Sequence, residues 1–211
     1  MPPAPPPGST PEIGLAKDAT VARPIGAGRF ETVITFVVEN SGDVALDGVR
    51  IVDDLGATFP VPATWEVADV ASTDLTVNAG FDGNADQEVL AGTDVLAAGT
   101  AGEVSVTVTF APNGLDSPFL NTAFAGSTTP GTVPDTSTDG TDPDPDGDGP
   151  GNDSTPTPIA FEVDPPPSRP EIGLAKGASV AVAVDEDTFE TAIVFTVENT
   201  GESDLDGIQV T

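Results

Sequence analysis

One segment of this chain occurs twice. Residues 11–52 open PEIGLAKDATV and run on through FETVITFVVENSGDVALDGVRIV, while residues 170–211 open PEIGLAKGASV and run through FETAIVFTVENTGESDLDGIQVT. The offset is 159 throughout, and with the Pro-rich stretch before each copy 25 of 47 aligned positions are identical without a gap. Such a period means like modules of about one small domain plus a connector. The second copy, at ~40 residues, is too short to bury a core of its own. It must be completed by further chain or by strands borrowed from another copy.

The modules read as β. In residues 30–40, Phe30, Ile34, Phe36 and Val38 fall on one face and Glu31, Thr35 and Glu39 on the other, the period of two of a half-buried strand. Residues 102–112 repeat it, with Val104, Val106, Val108 and Phe110 inward and Glu103, Ser105, Thr107 and Thr109 outward. Further strands are expected over 13–17, 49–53, 65–70, 75–78, 119–126 and 159–163, separated by Gly, Asn, Asp and Pro clusters. No stretch has the periodicity of an amphipathic helix. The expected fold class is therefore all-β: an immunoglobulin-like antiparallel β-sandwich repeat plus the first strands of a second one. The expected organisation is a Pro-rich linker over 1–10, a sandwich over 11–163, a second Pro-rich linker over 164–169 and the partial repeat over 170–211. The connectors PPGSTP and PPPSRP suit extended polyproline II spacers, and stiff spacers between like sandwiches give a rod.

Composition removes most chemistry. There is no Cys, His or Tyr, and with them go disulfides, thiol nucleophiles, imidazole bases and the usual transition-metal ligands. The formal charge of −29 excludes nucleic acid and anionic membrane as expected partners, since binding phosphate takes Lys and Arg. Between Arg50 and Arg169 lie 118 residues with 20 Asp or Glu and no basic residue, so the natural counter-charge is a cation. No apolar run approaches the ~20 residues of a membrane span. Met1 is followed by Pro2 to Pro7 with neither a charged nor an apolar leader region, so no signal peptide is read and Met1 is taken as an arbitrary start in a longer chain.

The run FETVITFVVENSGDVALDGVRIVDDL resembles the conserved Ig-like repeat of large bacterial surface and extracellular filament proteins: an aromatic, alternating β residues, Asn-x-Gly at Asn40 to Gly42, then Val49, Ile51, Asp53 and Leu55 as its V-x-V-x-D-x-L ending. AGTAGEVSVTVTF followed by FLNTAFAG is similar to the closing strands of that family, with Asn121, Thr122 and Ala123 as its N-T-A signature. Together these cover nearly all of residues 11–163. The resemblance implies a secreted structural repeat at the bacterial cell surface, with copies of itself as partners. It departs from the pattern by an acidic insertion before the last strand.

That insertion, DTSTDGTDPDPDGDGPGND over 135–153, carries seven Asp in 19 residues. Asp142, Asp144 and Asp146 stand at positions one, three and five of a calcium loop, Gly147 at the turn position and Asp153 at position twelve, with Asp148 as a helper. Asp at position twelve, Pro143 and Pro145, and the lack of flanking helices make it resemble a thrombospondin-type calcium loop more than an EF-hand. Calcium (Ca2+) is thus the expected cofactor, against the plainer reading of a solvated acidic linker. The weaker candidate, Asp82 to Asp86, is expected to be an ordinary Asx turn.

Lys17 and Asn121 are the residue types of the Lys–Asn isopeptide crosslink of other surface domains, which also needs a buried Glu or Asp. The plainer expectation is that Lys17 snorkels from a strand edge and guards it, while Asn121 caps a turn. Asn152-Asp153-Ser154 is a sequon for a glycan. Acidic pairs of the glycosidase type are trivially available in so acidic a chain, and the lone Trp65 is expected in the core rather than under a sugar, so no enzyme activity is expected. The leading expectation is a calcium-stabilised structural module assembling head to tail by strand pairing or tandem linkage. The alternative is an adhesin, which would need an exposed aromatic patch on loops that are instead rich in Gly, Asp, Thr and Ala.

Overall fold

The computed structural model describes residues 8–149, 153–162 and 170–211. Residues 1–7 of the first connector, Asn152 of the sequon, Val163 at the expected end of the sandwich and the 164–169 connector lie outside the described residues. The chain divides into two compact units, Met1–Glu162 and Val163–Thr211.

The first unit opens with β1 (Gly14–Ala19) and β2 (Arg23–Gly26), both antiparallel to the long β3 (Arg29–Glu39). After β4 (Leu46–Asp47) and β5 (Arg50–Asp53) comes a one-turn helix, α1 (Leu55–Thr58), whose N-terminus is closed by the Asp54 carboxylate accepting from the Ala57 N–H at 3.0 Å. Then follow β6 (Thr64–Ala71), β7 (Val95–Leu96) and the second long strand, β8 (Ala101–Ala111). The closing strands are β9 (Phe119–Asn121), β10 (Ala123–Gly126), β11 (Asp135–Thr136), β12 (Thr138–Asp139) and β13 (Thr157–Ile159). One sheet runs β12-β1-β3-β8-β6 with β2 also on β3; the remaining strands pair as β11-β10-β5, β13-β9 and β4-β7.

The centre of the large sheet is the pairing expected from the two alternating strands. Phe30 lies opposite Phe110, Ile34 opposite Val106 and Phe36 opposite Val104, and all the inward residues named for β3 and β8 are buried. Burying one face of each strand fixes the register, because a one-residue slip would turn every apolar side chain outward. Opposite Val38 the sheet needs Gly102, where an added Cβ would come within 2.9 Å of Leu75 Cγ. At one end Phe30, Phe59, Phe110, Phe119 and Phe161 stack at centroid distances such as 5.0 Å for Phe59–Phe110, with Trp65 half-buried against Phe59.

Several expectations are revised. The 75–78 strand is reduced to a single Val77–Leu90 bridge, because Asp94 takes the Thr76 N–H and Asn78 reaches the Glu88 carbonyl. The 119–126 strand breaks at Thr122, since β9 pairs with β13 while β10 crosses to β5. The last strand begins at Thr157 and ends at Ile159, beyond which Phe161 only bridges Ala22. The sandwich is antiparallel except for the isolated Ala22–Phe161 bridge and for β1 with β12, a parallel pair made feasible by the long connection between them. That pair also corrects the view of Lys17 as an edge residue: β1 is covered on both sides, by β3 and by β12.

The second unit holds β14 (Ile172–Ala178) against β17 (Ile193–Asn199), and β15 (Val182–Ala183) against β16 (Phe189–Glu190). Its apolar residues, Leu174, Phe189, Ile193 and Phe195 among them, are exposed.

Candidate functional site

Two clusters of polar side chains stand out in the first unit. The acidic loop is folded by its own carboxylates. Asp142 Oδ1 accepts from the Asp144 N–H at 3.1 Å, and Asp144 Oδ1 accepts from Gly147 at 3.0 Å and Gly149 at 3.1 Å. Asp146 Oδ1 accepts from the Asp148 N–H at 3.2 Å. Gly147 takes φ +79°, the left-handed turn expected of it. Asp144, Asp146 and Asp153 each bring a carboxylate oxygen within 4.8 Å of the others. Oxygens on one calcium ion are at most about 5 Å apart, so the trio fits a single ion. Asp142 and Asp148 lie outside the trio and shape the loop through its backbone. Asp153 Oδ2 is buried without a hydrogen-bond partner.

The trio's charge is felt nearby. The Asp148 N–H favours the Asp146 carboxylate, but hydrogen bonding with the Asp148 carboxyl, desolvation and the charges of Asp148 and Asp153 outweigh it, and Asp146 is raised. Asp135, which accepts the Leu15 N–H at 2.7 Å and so pins the loop's start to β1, is pushed up to about 6 by burial, with Asp153 adding to the rise against the Leu15 and Thr136 N–H groups. A divalent ion would relieve this repulsion. The Asp82 to Asp86 segment is the Asx turn expected: Asp82 Oδ1 accepts from the Asn84 and Asp86 N–H groups, both at 2.9 Å.

The second cluster is buried. Lys17 on β1, Asp53 at the end of β5 and Asn121 at the end of β9 are at most 1% exposed. Asn121 Nδ2 donates to Asp53 Oδ2 at 3.0 Å, and Lys17 and Asp53 interact as opposite charges. Thr157, opposite Asn121 across the β9–β13 pair, donates its hydroxyl to the Lys17 carbonyl at 2.8 Å and so locks β1 to the strand beside β9. Lys17 Nζ lies 5.9 Å from the centre of the Phe36 ring. Three polar atoms here have no hydrogen-bond partner: Lys17 Nζ, Asp53 Oδ1 and Asn121 Oδ1. Each such orphan costs about 1–3 kcal/mol. Burial moves both titrating groups toward neutrality. It lowers Lys17 to about 8, against the Asp53 and Asp139 charges, and raises Asp53, against Lys17 and the Asn121 hydrogen bond.

This burial overturns the plainer sequence reading, because Lys17 does not snorkel and Asn121 caps no turn. Asp53 was not singled out as the carboxylate of the set. The signal for it was a charged residue in step with inward Val49 and Ile51. Lys17 in step with Ile13 and Leu15, and Asn121 in step with Phe119 and Ala123, carry the same signal.

No family model and no curated protein matches the chain. Among solved structures it is similar to an exo-β-N-acetylglucosaminidase of Vibrio harveyi, at 15% identity and TM-score 0.32 over 79% of this chain and 24% of that one. It is similar to BcpA, the major pilin subunit of Bacillus cereus, at 11% identity and TM-score 0.34 over 88% of this chain and 55% of that one. A third likeness is to a biomass-sensing module from Clostridium thermocellum that resembles a family 3 carbohydrate-binding module, at 14% identity and TM-score 0.24 over 49% of this chain and 66% of that one. The chain thus spans less than two thirds of each, and TM-scores this low carry no functional argument. Among the described residues no helix is long and apolar enough to cross a membrane.

Proposed function

We propose that this chain is a structural repeat of a secreted bacterial surface or filament protein, stabilised by calcium and joined to further copies head to tail or in tandem. The observation that carries the reading is the second copy of the β1–β3 pair. β14 and β17 repeat its register, Lys17 opposite Phe36 becoming Lys176 opposite Phe195, yet the apolar face that β3 buries is open on β17. Uncovered apolar surface costs roughly 25 cal/mol per Å², and an unpaired sheet edge invites another strand. In the first unit β8 pairs with the edge of β3, and residues of strands outside that sheet, Ile51, Phe119 and Ile159 among them, share its buried core, so repeat strands of both kinds are the natural cover in the second. The module works by holding shape, and its side chains offer no Cys, His or Tyr for turnover chemistry on a diffusible substrate.

Electron microscopy of the native assembly, with the polypeptide traced past Ile193, tests this. The expected result is that repeat strands cover Phe189, Ile193 and Phe195. Strands of the same polypeptide mean tandem linkage, and strands of another copy mean exchange. An unrelated protein or a glycan on that face overturns the reading.

The calcium part rests on the Asp144, Asp146 and Asp153 trio and is tested apart by calorimetric titration and by melting with and without chelator. Calcium at a hundredfold excess over its dissociation constant should add about 2.7 kcal/mol of stability. Asp153→Asn should weaken binding and shrink that gain. No heat and an unmoved melting temperature would leave the loop a solvated linker.

A further inference from the structure

We propose that the first unit crosslinks itself, Lys17 Nζ condensing with the Asn121 side-chain amide to form an isopeptide bond, with Asp53 as the acid–base group. The geometry carries it. Three residues from three separate strands converge in a buried site, one an amine, one a carboxamide and one a carboxyl already touching the carboxamide. Among the described residues five buried side-chain atoms lack a hydrogen-bond partner, and three of them are the amine nitrogen, the amide oxygen and the second carboxyl oxygen of this set. The Lys17 ammonium has three hydrogens to donate, and among the described residues it finds no acceptor within hydrogen-bond distance. The three orphans are what the reactants of an amide exchange look like before it occurs.

The chemistry balances without any co-reactant. The lone pair of neutral Lys17 Nζ attacks Asn121 Cγ, and the Asp53 carboxyl, as its acid form, supports the oxygen as it gains negative charge. The proton leaving Nζ passes through Asp53 to the Asn121 nitrogen, which departs as ammonia when the Cγ–Nδ2 bond breaks. One C–N bond forms and one breaks, nothing is oxidised or reduced, and Asp53 returns to its starting state. Burial prepares both groups, favouring the free amine of Lys17 and the protonated form of Asp53. Fixing amine and amide in one buried site replaces an encounter in water. The bond would tie β1 to β9, so tension entering at the N-terminal strand would pass to β9 and bypass β3, β5 and β8. The segment between Lys17 and Asn121, from β2 to β8, could then not be drawn out, whether or not the repeats assemble as proposed above.

Intact mass spectrometry of the full chain is the test, with protease mapping of the product. The expected mass is that of the sequence less one ammonia, and mapping should return a branched peptide joining the segment around Lys17 to that around Asn121. Asp53→Ala, Lys17→Met and Asn121→Ala should each carry the full mass expected of their sequence, with circular dichroism reporting that the sheet is kept. A folded wild-type chain at full sequence mass overturns the proposal. So does an ammonia loss that maps to Asn113, which precedes Gly114 and can cyclise on its own. Should the variants fail to fold, the wild-type mass and the branched peptide still decide.

Discussion

The β1–β3 pair and its second copy, β14–β17, separate what a strand pair encodes locally from what its surroundings supply. Their hydrogen bonds repeat at the same offset. Asn40 Nδ2 donates to Val44 O at 2.8 Å, as Asn199 Nδ2 does to Ser203 O at 2.8 Å. The Thr32 hydroxyl donates to Thr20 O at 2.7 Å, as that of Thr191 does to Ser179 O at 2.8 Å. What differs is everything that arrives from far along the chain. Asn40 also reaches Leu96 O at 2.8 Å, and Asn199 has no counterpart to that bond among the described residues. β3 runs unbroken through 11 residues, whereas its copy breaks into β16 and β17, where no strand of the β8 kind is paired. Phe36 is 0% exposed and Phe195 is 46% exposed. Register is thus written in the strand pair, while its burial is completed by strands from farther along the chain, β8, β9 and β13 among them.

The largest expected contrast comes from cutting the two apart. Residues 8–162 alone should unfold in one cooperative denaturant transition, while residues 170–211 alone should show none, because ~40 residues bury too little apolar surface. A sharp transition in the short piece would break the comparison at its root. Next in size, Phe36→Ala should cost about 3–5 kcal/mol. Phe195→Ala in this chain should stay within about 0.5 kcal/mol. Equal costs in chemical denaturation would mean that something covers the second face too.

A pH series tests Lys17. With no Cys or Tyr, alkaline titration below the arginine range falls to lysine, and Lys17 is the buried one. Burial holds Lys17 to about 8 from 10.5 in the fold, so between those values the unfolded chain binds more protons and stability should rise with pH. In Asn121→Ala, which leaves Lys17 a free amine, the rise should approach about 3 kcal/mol. In the wild-type chain, with that amine consumed, the curve should be flat through the window. A matching rise in both would show an uncrosslinked Lys17. The smallest contrast is between Asn40→Ala, expected to cost about 1–3 kcal/mol through its lost bonds to Val44 and Leu96, and Asn199→Ala, expected to cost about 0.5 kcal/mol or less. Thermal melts of the pair read it out.

By itself the sequence determined the repeat, the two alternating strands, the Asn-x-Gly turn and the acidic loop with its Asp142, Asp144, Asp146, Asp148 and Asp153, because each is a matter of spacing along a short stretch. Spacing could not tell which of these carboxylates come within 4.8 Å of one another, since that depends on how the backbone folds between them. Only the tertiary structure decided that β1 lies between β3 and β12, and with that the fate of Lys17. A lysine on a strand edge and a lysine sealed beside Asp53 and Asn121 read alike in one dimension. They part only when strands β1, β5 and β9 close around the same buried space and bring amine, carboxyl and amide together.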